Sequence, residues 1–160
     1  MPGFRIASKK QDQTTIALQD GDTPLHAHLA NTFKDPTLEM VTCLINKGAS
    51  VTSQNKDGNT PLHAHLAHRY KNPTLEMVTC LINKGASVTS QNKNGNPPLY
   101  EYLIQSLNPA SEIVKFLIKK DSALLTLLNK EGKTPESIVE TNMDITKKEK
   151  TVILNYFDSK

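Results

Sequence analysis

Residues 21–57 read GDTPLHAHLANTFKDPTLEMVTCLINKGASVTSQNKD, and residues 58–94 read GNTPLHAHLAHRYKNPTLEMVTCLINKGASVTSQNKN. The two segments are identical at 31 of 37 positions. The Pro-Leu step recurs in register at Pro24-Leu25, Pro61-Leu62 and Pro98-Leu99, and Thr134-Pro135 stands one further period on. Repetition of this length means stacked supersecondary units, each too small to bury its apolar face alone. The period sets the boundaries: an N-terminal segment and partial cap over 1–20, units over 21–57, 58–94 and 95–131, and a degenerate capping unit over 132–160.

Within a unit the residues predict two short helices. The first opens at Thr23-Pro24 and Thr60-Pro61, a hydroxyl N-cap followed by proline at the first helical position. The second is read as opening at Asp35-Pro36, Asn72-Pro73 and Asn108-Pro109, again a capping residue before proline. Its body, Leu38 to Ile45, spaces apolar residues as a helix does. Gly48 and Gly85, each after a lysine, suit a left-handed C-terminal cap. The polar stretch Gln54 to Asn59 predicts a turn, with Gly58 supplying the positive dihedral.

Thr-Pro-Leu-His at 23–26 and 60–63, Gly-Ala-Ser-Val at 48–51 and 85–88, and Asp-Gly-Asn-Thr-Pro at 57–61 resemble the ankyrin repeat. Glu112 to Ile118 resembles its second helix, so the likeness spans about residues 20–157. It implies an all-α solenoid of stacked helix pairs with projecting hairpin-like loops. It also implies that His26 and His63 bond backbone and tie loop to helix. Four departures stand out. The period is 37, not the family's common 33, and the surplus at Asn31–Lys34 and His68–Lys71 implies a longer first helix or a larger inter-helix loop. Thr52 and Thr89 stand where the family often has the asparagine that is hydroxylated. Pro97 replaces the capping threonine, at a cost of about 1 kcal/mol. Asp121-Ser122 replaces the glycine, and the leucines at 124, 125, 127 and 128 suggest an altered connector with extra burial. Ile16 to Gly21 resembles the loop part of a unit, and Thr134–Asn142 with Glu149–Phe157 a degenerate helix pair with a polar outer face.

The totals agree with a thin, extended core: 37% apolar residues, few aromatics and no tryptophan. A net charge of +3 is too balanced for nucleic acid or an anionic membrane, and Lys147-Lys148-Glu149-Lys150 reads as a solvated helix face. No apolar run reaches the roughly 18 residues of a membrane span. The start lacks a signal-peptide apolar region, and Pro2 excludes myristoylation. The expectation is a cytoplasmic chain, a monomer when unbound.

Chemistry-bearing residues are few. His28 and His65 lie about 200° around a helix from His26 and His63. His65 and His68 could share a face, but two imidazoles make a poor zinc site. Cys43 and Cys80, in equivalent places of adjacent units, are too far apart for a disulfide and read as buried free thiols. No nucleophile–base pair, nucleophile elbow or phosphate loop occurs. The reading is a protein that is no enzyme and takes no metal or cofactor.

The six differences between the two copies are Asp22/Asn59, Asn31/His68, Thr32/Arg69, Phe33/Tyr70, Asp35/Asn72 and Asp57/Asn94. None falls in the apolar stripe. All lie at loop tips or after the first helix, regions that form the concave binding surface in ankyrin proteins. The candidate partner-binding residues are therefore Phe33, Lys56, Asp57, Asn59, His68, Arg69, Tyr70, Lys93, Asn94 and Asn96. Phe33 and Tyr70, continued by Leu107, form an aromatic ladder that either binds a partner or packs over the first helix. The expected function is non-catalytic binding of another protein. The Lys/Asn/Thr-rich texture resembles ankyrin chains of intracellular pathogens that engage host proteins. A self-assembling structural scaffold is the alternative.

Overall fold

A computed structural model describes residues 21–31, 35–67 and 73–160. Within them lie eight α-helices: α1 (Pro24–Leu29), α2 (Leu38–Asn46), α3 (Pro61–Leu66), α4 (Leu75–Asn83), α5 (Pro98–Gln105), α6 (Ser111–Lys120), α7 (Pro135–Thr141) and α8 (Lys147–Asp158). A 3₁₀ turn spans Ser122–Leu125. The described residues contain no strand.

The odd-numbered helices stack side by side, α1 on α3 on α5 on α7. The second helices form the other layer, with α4 on α6 and α6 on α8. Between the layers runs one apolar seam. Leu25, Leu62 and Leu99 come from one register of the first helices, and Leu29, Leu66 and Leu103 from another; all are fully buried. Val41, Val78 and Val114 face them from the second helices, also fully buried. Truncating one of these leucines to alanine should cost about 2–5 kcal/mol.

The first helices start as the sequence predicts. Thr23, Thr60 and Thr134 each cap with the side-chain oxygen, and proline follows. Pro97 heads α5 without any side-chain cap. The second helices start later than predicted. Thr37 and Thr74 are the N-caps, accepting from the backbone N–H of Met40 and Met77. Asp35 lies outside the helix, because a residue before proline is held out of the helical region; Asn72 falls outside the described residues. In the third unit Ala110 takes the cap position and bonds nothing through its side chain.

The first helix is not lengthened. α1 ends at Leu29 and α3 at Leu66; of the surplus residues, 32–34 and 68–71 lie outside the described residues. The third unit drops one residue between its helices: Val114 and Leu117 take the places of Val78 and Leu81 after 36 residues instead of 37. The connector after α6 restores the count. Gly48 and Gly85 close α2 and α4 at φ +93° and +98°. Ala49 N–H donates to Leu44 and Gly48 N–H to Ile45, the paired bonds of a Schellman cap. After α6, Asp121 is extended, and its carboxylate accepts from Ala123 N–H to begin the 3₁₀ turn. Leu124 is fully buried there, but Leu128 is 56% exposed.

Identical residues meet different surroundings in the two copies. Met77 on α4 is 2% exposed and Met40 on α2 is 47% exposed. α4 packs on both α3 and α6, whereas α2 packs chiefly on α1, at the end of the described stack.

Candidate partner-binding face

The turns between units are built around one asparagine each. The Asn55 carbonyl oxygen accepts from the backbone N–H groups of Asp57 and Asn59, both at 3.0 Å. Asn92 does the same for Asn94 and Asn96, and Asn129 for Glu131 and Lys133. A side-chain amide can satisfy several turn donors at once, which explains the residue type. Its NH₂ group reaches back one unit: Asn55 to Asp22 at 2.8 Å, Asn92 to Asn59 at 2.9 Å, and Asn129 to Asn96 at 2.9 Å.

Two backbone bonds join successive tips. Lys93 N–H donates to Asp57 O at 2.9 Å, and Lys130 N–H to Asn94 O at 3.0 Å. Such closeness needs glycine beside it. A Cβ on Gly58 would lie 2.9 Å from Lys93 N, and one on Gly95 2.8 Å from Lys130 N.

Histidines brace helices to turns. His26 Nε2 lies 2.9 Å from Asn59 O, and His63 Nε2 3.0 Å from Asn96 O. Each Nδ1 accepts from the backbone N–H of its capping threonine, at 3.2 and 3.1 Å, so the proton sits on Nε2. Burial pushes the His63 pKa below its ordinary value, against the opposing pull of the Asn96 carbonyl and the Glu101 carboxylate. In the third unit Tyr100 occupies this register, fully buried, its hydroxyl donating to the carbonyls of Leu124 and Leu127. Burial raises its pKa to about 12. Tyr102 takes the register of His65, and its hydroxyl accepts from Ala110 N–H at 2.7 Å. That bond supports the start of α6, where no side-chain cap exists.

The sequence candidates separate against this frame. Lys56, Asp57, Lys93 and Asn94 are exposed at the tips. Asn59 is half-buried, its side-chain oxygen accepting from Asn92. Asn96 is 4% exposed; its amide donates to Glu101 and its oxygen accepts from Asn129. It belongs to the ladder and not to the outer face, since the same side chain is bonded on both sides. Phe33, His68, Arg69 and Tyr70 lie outside the described residues. Leu107 is half-buried.

Cys43 is exposed and Cys80 half-buried, both free, so neither is the buried thiol that the apolar stripe suggested. The stripe is narrower than a helix face: Val41 and Val78 fill it two residues earlier. His28 accepts from Thr37 N–H at 3.3 Å, tying α1 to the start of α2. No group of three His, Cys, Asp or Glu among the described residues could hold a metal ion. No described helix is long and apolar enough to cross a membrane.

Two residues escaped the sequence reading. Glu101 stands on α5 where the first two units have Ala27 and Ala64; it is 8% exposed, and one carboxylate oxygen accepts from both Asn92 and Asn96, at 2.8 and 2.9 Å. Ile104 stands where they have Ala30 and Ala67, and is 37% exposed. With Ile138, Thr141, Asn142, Glu131 and Lys133 it lines an open groove in the corner between α5, α7 and the third turn. Comparison of units at a spacing of 37 would have exposed both substitutions.

The family model for the ankyrin repeat matches residues 20–56 and 57–93. No curated protein matches the chain. Repeats of this family are generally protein–protein interaction modules, and typically non-catalytic.

Proposed function

We propose, from the premise that this chain is an ankyrin-repeat protein, that it binds a partner protein through its turn tips and the adjoining ends of its first helices, without catalysis. One observation carries this reading. The turns are held by asparagine amides and backbone groups, while the side chains of Lys56, Asp57, Lys93 and Asn94 stand exposed on an already ordered frame. Order that does not depend on the tip side chains lowers the entropy a partner must overcome, and lets those residues vary with the target. Arg69 and Tyr70, chemically suited to anchor an interface, extend the same surface in this reading. The proposed setting is the cytosol and the proposed partner a host protein, a view that rests on the texture of the sequence.

Affinity capture from cytosol, followed by titration of the purified partner, tests the reading. Combined Lys56→Ala, Asp57→Ala, Lys93→Ala and Asn94→Ala substitutions should weaken binding at least tenfold, as should Arg69→Ala with Tyr70→Ala. Unchanged affinity in a variant with wild-type circular dichroism would remove this face from consideration. Light scattering that shows growth beyond a dimer as concentration rises would favour a self-assembling scaffold.

A further inference from the structure

We propose that the corner between α5, α7 and the third turn receives an extended acidic segment of the partner, with an aliphatic side chain on Ile104 and carboxylates at Lys93 and Lys130. This deepens the protein-binding reading and rests on it.

Ile104 breaks the repeat. In the first two units this register holds Ala30 and Ala67, which offer only a methyl group. Only the third unit raises a branched aliphatic here, 37% exposed, beside Ile138 and Thr141 of the next first helix. An aliphatic side chain laid on that floor would remove apolar surface from water on both partners.

Charge selects the rest of the occupant. The acids of this corner are already engaged: Glu131 pairs with Lys133 at 2.8 Å, and the buried Glu101 accepts two asparagine amides. Lys93 and Lys130 are exposed at successive tips, and neither ammonium makes a bond or ion pair among the described residues. The nearest turn, Lys56 with Asp57, is balanced. The tips flanking the corner thus carry two uncommitted cations: Lys93 follows Asn92, which bonds Glu101 one helical turn before Ile104, and Lys130 precedes Glu131, which lines the groove. Neighbouring units sit about 10 Å apart, the usual separation of packed helices. An extended chain rises about 3.3 Å per residue, so two carboxylates three residues apart match the two lysines.

The probe is a phage-displayed library of random 12-residue peptides panned on the full chain. Recovered peptides should carry an aliphatic residue and acids spaced three apart. Their affinity should fall at least tenfold with Ile104→Asp, and at least tenfold with Lys93→Glu combined with Lys130→Glu, in variants that keep the wild-type circular dichroism and melting temperature. The paired lysine variant leaves the apolar floor untouched, so it reads the charge alone. Peptides that bind but ignore both variants would overturn this site and leave the protein-binding reading standing. Peptides sensitive to the lysines but not to Ile104 would reduce the corner to general attraction of polyanions, and overturn the proposal. Peptides rich in Lys or Arg, or no recovered binder, would also overturn it, whereas the captured partner in the preceding experiment decides the broader reading independently.

Discussion

Gly48 and Gly58 both sit at positive φ, +93° and +78°, yet alanine at the two sites should have different consequences. At Gly48 an added Cβ meets nothing within 4 Å. The substitution there carries only the backbone strain of an L-residue in the left-handed region, about 1–2 kcal/mol. At Gly58 the same strain is joined by collision. The new Cβ would lie 2.9 Å from Lys93 N and 3.1 Å from Asn92 Cα, both backbone atoms that no rotamer change can move. The second turn must shift, and the bond from Lys93 N–H to Asp57 O is the first to give. Losing it adds about 1–2 kcal/mol. Gly58→Ala should therefore destabilise by roughly 2–4 kcal/mol, against about 1–2 for Gly48→Ala. Urea unfolding followed by circular dichroism measures both, with the slope checked for constancy so that midpoints compare fairly. In thermal melts the gap amounts to roughly 2–8 °C for a chain of this size. Equal losses at the two sites would refute the close backbone contact between successive turns.

Three further outcomes follow from the same frame. His63 is neutral when folded with its pKa lowered, so the unfolded chain binds the extra proton. Its contribution to stability is whole above the unfolded value of about 6.5 and is lost as pH falls from there toward the folded value, at up to about 1.4 kcal/mol per pH unit; His63→Gln should flatten that part of a urea-midpoint profile, and an unaltered slope would contradict the assignment. Asn92→Ala removes two accepted and two donated bonds in one buried turn and should lower stability by about 3 kcal/mol or more, which denaturant titration would show. Cys43 should react with a thiol reagent several times faster than Cys80 in the native protein, and equal rates would contradict their different exposure.

The solenoid was legible because its signals are local and repeated. A threonine before proline favours a helix start, and three copies in register remove the ambiguity of one. The second-helix starts misled for an equally local reason: Asp35-Pro36 and Thr37 both satisfy the capping rule, and only the geometry shows Thr37 accepting from Met40 N–H. Burial of the cysteines was misjudged because the apolar seam is narrower than the helix face and is filled by Val41 and Val78, two residues earlier. The candidate face was half legible. Exposed tips such as Lys56 and Lys93 follow from the turn pattern, but Asn96 looks the same in sequence and is buried between Glu101 and Asn129. A ladder made of side chains 33 residues apart in a 37-residue period cannot be read from either copy alone.

The register of His26, His63, Tyr100 and Ser137 shows one position put to three different uses along the stack. The two histidines each cap their own helix and reach forward to the carbonyl of the next turn. Tyr100 cannot cap, and Pro97 before it offers no hydroxyl, so the third unit gives up the local bond. Its longer side chain instead reaches the altered connector, at Leu124 and Leu127, which has lost the glycine of the other units. Ser137 does the reverse. It forms the capping box with Thr134 and returns its hydroxyl to the Thr134 carbonyl, and no bond of its side chain leads onward. One position thus carries coupling to the next unit through two copies, redirects it in the third, and turns it back on its own helix in the fourth.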